Sequence, residues 1–130
     1  MRTQKHRILL VEDQKIAQKI ALFCLTEQGC DVDTAETGAQ ALKLFSQSAY
    51  DLIFMDLGLD DIDGLTITET IRRMEDENNA PPVPIVVLTA HDAEDIRKNC
   101  IEAGVSGFMP KPILPEKSRE ILDSFLGRAN

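Results

Sequence analysis

Arg7-Ile8-Leu9-Leu10-Val11-Glu12-Asp13 sets four consecutive apolar residues ahead of two carboxylates. Apolar side chains that do not alternate with polar ones mark a strand buried on both faces, here residues 7–12. Such a strand belongs in the middle of a parallel sheet covered by helices. Outward from it the pattern recurs. Leu52-Ile53-Phe54-Met55 is a second all-apolar run, ending at Asp56, and Ile85-Val86-Val87-Leu88 a third, ending at Thr89. Shorter strands are expected at 31–35 and at Gly107-Phe108-Met109.

Helical periodicity fills the intervals. Ala17, Ile20, Ala21 and Cys24 make an inward stripe over 15–28, with Gly29 as the residue just past the helix end. Ala41, Leu42 and Phe45 do the same over 38–48, and Ile67, Ile71 and Met74 over 65–77. Ile96, Cys100 and Ala103 line a helix over 93–103 that Gly104 stops. Pro115 suits the first turn of a last helix, lined by Ile121, Leu122 and Phe125. Cys24 and Cys100 are core thiols on this reading, and Met55 and Met109 strand packing. Five strand–helix pairs predict an α/β fold, a doubly wound five-stranded parallel sheet with five helices. The expectation is a single domain over 1–130, with its core at about 7–127. Ligands of such sheets bind beyond the carboxyl ends of the strands, where the strand order reverses.

Composition removes several functions. Of 130 residues, 43% are hydrophobic and 28% charged, an ordinary globular balance. Lys and Arg number 14 against 22 Asp and Glu, a net charge of −8. A phosphate backbone or an anionic membrane calls for the opposite sign. Cys24, Cys30 and Cys100 form no CxxC pair, which disfavours zinc and fits a reducing compartment. No apolar run approaches the roughly 18–20 residues of a membrane span. The basic start, Met1 to Arg7, lacks the apolar stretch of a signal peptide. The expected location is cytoplasmic, with His6 in a disordered terminus.

The residues just past the strands carry the chemistry. Glu12 and Asp13 follow the first, Asp56 the third, Thr89 and Ala90 the fourth, Lys111 and Pro112 the fifth. One acid after a strand is ordinarily a turn former or cap. Four strand ends that all supply charge or hydroxyl at one sheet edge are a specific coincidence. Three carboxylates and one ammonium leave a deficit that a divalent, oxygen-seeking cation would neutralise, and Mg2+ is held by few protein ligands plus waters. No Gly-rich loop follows the first strand, so P-loop and dinucleotide readings fall away. Such a site suits phosphoryl transfer to a carboxylate nucleophile, Asp56.

Val11-Glu12-Asp13, Asp56, Asp63-Gly64, Thr89-Ala90 and Lys111-Pro112 together resemble the receiver (response regulator) domain of two-component signalling, across essentially the whole chain. The resemblance implies the flavodoxin-like, chemotaxis-regulator-like sheet order 2-1-3-4-5. It makes Asp56 the phosphoacceptor and Asp13 the direct Mg2+ ligand, with Glu12 acting through water and the Gly58 carbonyl completing the set. Mn2+ would substitute. Thr89 and Lys111 would hold phosphoryl oxygens, small Ala90 would leave them room, and the Lys111–Pro112 bond would be cis. Thr89 and Phe108 would be the switch pair acting on the surface of the fourth helix, fifth strand and fifth helix. The implied partners are a sensor histidine kinase or histidine phosphotransfer protein and a downstream protein target, with no direct nucleic acid and no membrane.

The chain departs from the pattern in two places. Leu59-Asp60 stands where many receivers carry Met-Pro, which puts the loop's rigidity in question, and Phe108 stands where a Tyr is frequent. The acidic run 60–63 reads as a solvated loop rather than a second metal site, and His91 as a rim residue tuning water access. Because the chain ends with the fifth helix, no output domain is expected. It reads as a stand-alone regulator or the receiver of a hybrid sensor histidine kinase, and not as an enzyme beyond its own phosphoryl acceptance and loss. The alternatives are a Mg2+-dependent phosphatase or nuclease-like hydrolase and an unphosphorylated binding module. Against the first, Gln14-Lys15 follows Asp13 where a dehalogenase-type phosphatase needs a second Asp. A toprim-like reading of Asp61-Ile62-Asp63 leaves Thr89 and Lys111 unexplained. Against the second, an unused acidic cluster would only cost stability.

Overall fold

The computed structural model describes residues 5–59, 61–89 and 94–127, with the side chains of 94 and 95 excepted. The elements are β1 (Arg7–Val11), α1 (Lys15–Glu27), β2 (Asp31–Ala35), α2 (Gly38–Gln47) and β3 (Leu52–Asp56). They continue with α3 (Gly64–Glu77), β4 (Ile85–Thr89), α4 (Glu94–Ala103), β5 (Gly107–Pro110) and α5 (Pro115–Leu126). All strand pairs are parallel and the order is β2-β1-β3-β4-β5.

Strand residues divide by parity, because successive side chains point to opposite faces. Ile8, Leu10, Leu52, Phe54, Val86 and Leu88 pack on one face with Ala21, Cys24 and Leu25 of α1 and Leu122 of α5. Leu9, Val11, Ile53, Met55 and Ile85 pack on the other with Ala41 of α2 and Ile67 and Ile71 of α3. Val87 joins Cys100 of α4 and Val105 there. This two-sided burial is why β1, β3 and β4 read as unbroken apolar runs, whereas the edge strands β2 and β5 are only partly buried.

The stripe expected on α1 needs one correction. Ile20 is 41% exposed, and the inward residues are Ala21, Cys24 and Leu25. Ile16, Ile20 and Phe23 form a second apolar stripe at i, i+4 and i+7 that faces out, with Ile16 at 75% and Phe23 at 67%. A helix with two apolar stripes gives periodicity no means to choose between them. His6 is likewise anchored, not loose, since its carbonyl accepts the Asp31 N–H at 2.8 Å. Gly29 and Gly104 follow α1 and α4 at φ +84° and +107°, a left-handed backbone that closes the helices. No helix among the described residues is long and apolar enough to cross a membrane.

Candidate functional site

The chain runs from β1 outward to β2 and then returns to the other side of β1 for β3, so the strand order reverses between β1 and β3. Glu12 and Asp13 follow Val11 at the end of the first of these strands, and Asp56 ends the second. One carboxylate oxygen from each of the three lies within 4.8 Å of the others. Glu12 is 1% exposed and Asp56 7%.

Lys111 faces this cluster. Its Nζ is 3.2 Å from Asp56 Oδ2 and 3.3 Å from Glu12 Oε1. The Lys111 N–H donates to the Thr89 carbonyl at 2.7 Å, which ties the residue to the end of β4, and the Lys111–Pro112 bond is cis. Thr89 lies one residue beyond Leu88, the register partner of Asp56, and itself pairs with Pro110. Phe108, paired with Val87, is half-buried, and the Arg97 guanidinium lies 4.3 Å over its ring.

Backbone donors fix the carboxylates. The Gly58 N–H donates to Asp56 Oδ1 at 3.2 Å, and the Gln14 N–H to Glu12 Oε2 at 3.1 Å. Burial raises the Glu12 pKa, the Gln14 amide works against that, and the nearby Asp56 charge adds to the rise. Burial acts to lower that of Lys111, but the hydrogen bond and charge of Asp56, joined by Glu12, outweigh it and the net shift is upward. The ammonium is thus held charged against an acidic set that it only partly neutralises. The donors are hard oxygens from few residues, partly open at Asp13, a set that fits a divalent cation with retained waters.

The expected Glu12, Asp13, Asp56 and Lys111 therefore converge, with Thr89 at the end of β4 and Gly58 in the loop two residues past the end of β3. Ala90, His91 and Asp60 lie outside the described residues. Two supporting contacts had no legible local signal. Gln18, one turn into α1, donates its amide to the Glu12 carbonyl at 3.0 Å. Asp61, expected as solvated, accepts the N–H groups of Gly38 and Ala39 at 2.8 and 3.1 Å, while Asp63 caps α3 through the Thr66 N–H. Neither acid is part of a second metal cluster among the described residues.

A family profile described as the response regulator receiver domain matches residues 8–123. The chain is similar to hybrid signal transduction histidine kinase L of Dictyostelium discoideum, 34% identical over 122 residues. That match covers 92% of this chain but only 7% of the relative, so the chain spans a small fraction of the curated relatives it matches. Among solved structures it is similar to the receiver domain of sensor histidine kinase PA1611 from Pseudomonas aeruginosa, described with a magnesium ion coordinated in the active site cleft. Identity is 33%, TM-score 0.84, with 96% of this chain and 100% of that one covered. It is also similar to the Ssk1 receiver domain of Saccharomyces cerevisiae, solved with the histidine phosphotransfer protein Ypd1. There identity is 26% and TM-score 0.87, covering 93% of this chain and 88% of that one.

Proposed function

The chain belongs to the response regulator receiver family, and from that premise we propose that it accepts a phosphoryl group on Asp56 from a phosphohistidine of a sensor kinase or phosphotransfer protein. Receiver domains are signalling modules that bind Mg2+ at an acidic pocket. The observation that carries the reading is Lys111 Nζ at 3.2 Å from Asp56 Oδ2, inside the Glu12–Asp13–Asp56 cluster.

In the proposed step an Asp56 carboxylate oxygen attacks phosphorus and the P–N bond breaks, its electron pair returning to the donor imidazole. The product is an acyl phosphate. Lys111 sits where charge grows on the transferring oxygens, and preorganised charge of this kind is worth most in a partly buried site. Bound Mg2+, held by Asp13, Asp56 and the Gly58 carbonyl, with Glu12 behind them, would supply the remaining charge neutralisation. Thr89 would donate its hydroxyl to a phosphoryl oxygen.

The outward stripe Ile16–Ile20–Phe23 supports a protein donor. It begins three residues beyond Asp13, so an apolar partner face seated there would lie beside the acidic cluster. The similarity to a hybrid kinase supports the receiver of such a kinase as the parent, with a separate regulator as the other architecture. A hydrolase reading gives Lys111 no task between Glu12 and Asp56 and is not favoured.

Acetyl phosphate with Mg2+, followed by intact mass, tests the assignment. One phosphoryl group is expected on the wild type and none on Asp56→Asn, whose amide is no nucleophile. Equal labelling of the two would remove Asp56 from the role.

A further inference from the structure

The loop 57–63 carries Gly58 from the end of β3 to α3, and it lacks the proline frequent in the receiver pattern. A different fastening holds it. The first N–H groups of a helix have no partner within the helix. In α2 those of Gly38 and Ala39 are taken by Asp61 Oδ1 and Oδ2, from a loop more than 20 residues downstream, and that of Gln40 by Thr37. Beside this clamp the fit is tight: a Cβ on Gly38 would stand 2.9 Å from the Ile62 Cβ. At Gly58, by contrast, a Cβ would find its nearest neighbour 3.9 Å away, so nothing packs that residue in place from its open side.

We infer that Asp61 is a positioning residue for the cation: its carboxylate, clamped on the first turn of α2, sets the loop so that the Gly58 carbonyl is presented with Asp13 and Asp56. The inference rests on the cation site proposed above. Asp61 is not itself one of the presumed ligands; the described residues that link it to Gly58 are their chain neighbours, since Leu59 is buried in the same apolar cluster against which Ile62 packs. The two amide hydrogen bonds, that from Gly38 foremost, also hold the Asp61 pKa below the usual carboxylate value, so the clamp is charged across the neutral range.

Two variants cut the clamp from opposite ends. Asp61→Ala removes the acceptor, and Ala39→Pro removes one donor while leaving every charge in place, at a first-turn position where proline is tolerated. Mg2+ affinity is measured by calorimetry and amide NMR shifts, with melting temperature in the absence of metal taken alongside. Wild type must bind Mg2+ first; if it does not, the cation reading fails by itself, before any variant is compared. Asp61→Ala should weaken Mg2+ about three- to tenfold, at or below the cost of losing a direct supporting contact. Ala39→Pro should shift affinity in the same direction by less, and labelling of Asp56 should recover at saturating Mg2+. Undiminished affinity in Asp61→Ala overturns the inference. So does a loss in Asp61→Ala that a folded Ala39→Pro does not share, because the effect would then be the field of the charge. Should Ala39→Pro melt below the assay temperature, Asp61→Asn decides: the amide keeps one acceptor without the charge. Affinity near wild type upholds the clamp, and affinity equal to that of Asp61→Ala overturns it.

Discussion

At Asp13 the requirements of the site and of stability pull in opposite directions. Its carboxylate shares a cluster with Glu12 and Asp56 that one ammonium only partly offsets. Asp13→Ala should therefore raise the melting temperature in metal-free buffer while weakening Mg2+ binding, with a gain on the order of 1 kcal/mol from relieved repulsion. Mg2+ at ten times its Kd should stabilise the wild type by about 1.4 kcal/mol through mass action, and should do much less for the variant. A wild-type melt indifferent to millimolar Mg2+ would tell against the site. Tyr50, at the opposite edge of the sheet, has a purely structural conflict. Its hydroxyl donates to Asp33 Oδ2 at 2.7 Å, and the same oxygen meets Arg7 Nη2 at 2.7 Å. Burial, then the Asp33 bond and charge, push the phenol up to about 12. A raised pKa means that the native state keeps its proton longer than the unfolded chain, whose phenol titrates near 10. The stabilisation is thus whole below pH 10 and is lost as pH rises from about 10 to 12. Between pH 7 and 11, urea unfolding of the wild type should lose about 1.4 kcal/mol more than that of Tyr50→Phe. Parallel losses would show that the phenol does not sense its burial.

At the scale of elements, the sequence discloses what depends on neighbours in the chain and hides what depends on neighbours in space. Leu52 to Met55 announce a central strand because both faces of β3 are covered, and the ends of β1, β3 and β5 carry their acids and lysine openly. Thr37 and Asp63 are caps of ordinary spacing for α2 and α3. Asp61 is not, since its partners lie on another helix, and Ile20 is ambiguous because α1 carries two stripes. Glu75 is the sharpest case. It lies among charged residues near the end of α3, yet is 4% exposed. Its Oε1 pairs with Arg72 Nη1 at 2.8 Å and its Oε2 accepts the Val83 N–H at 2.7 Å. Arg72 also donates from Nε and Nη2 to the Gly104 carbonyl just past α4, at 3.0 and 2.8 Å. The pair therefore ties α3 to the entry of β4 and to the end of α4. Arg72→Met would leave a buried carboxylate without its cation, at a cost of about 3 kcal/mol. Urea unfolding measures it. A loss below about 1 kcal/mol would place this clamp among weak surface pairs.

Over the whole molecule, the site and the proposed output surface are joined through β4 and β5. Thr89 ends β4 beside Asp56, and Phe108 lies on the neighbouring strand, across from Val87 two residues earlier. In the proposed switch the Thr89 hydroxyl moves to a phosphoryl oxygen, and the space it leaves admits the Phe108 ring. Turned inward, the ring would give up the Arg97 guanidinium now 4.3 Å above it, an exposed cation–π contact worth about 0.5–1 kcal/mol. One hydrogen bond gained against that contact makes a modest two-state bias, with a coupling of roughly 1–3 kcal/mol. Beryllofluoride, which mimics the acyl phosphate, should then shift the amide signals of Thr89 and of residues 105–113 together. Thr89→Ala should still accept phosphate at Asp56, because the nucleophile and Lys111 are intact, yet show a smaller shift at Phe108. Arg97→Ala should enlarge that shift at subsaturating beryllofluoride, since the outward ring has lost its partner. A full wild-type response at Phe108 in Thr89→Ala would mean that the signal leaves the site by another surface, and the stripe on α1 would be the next place to look.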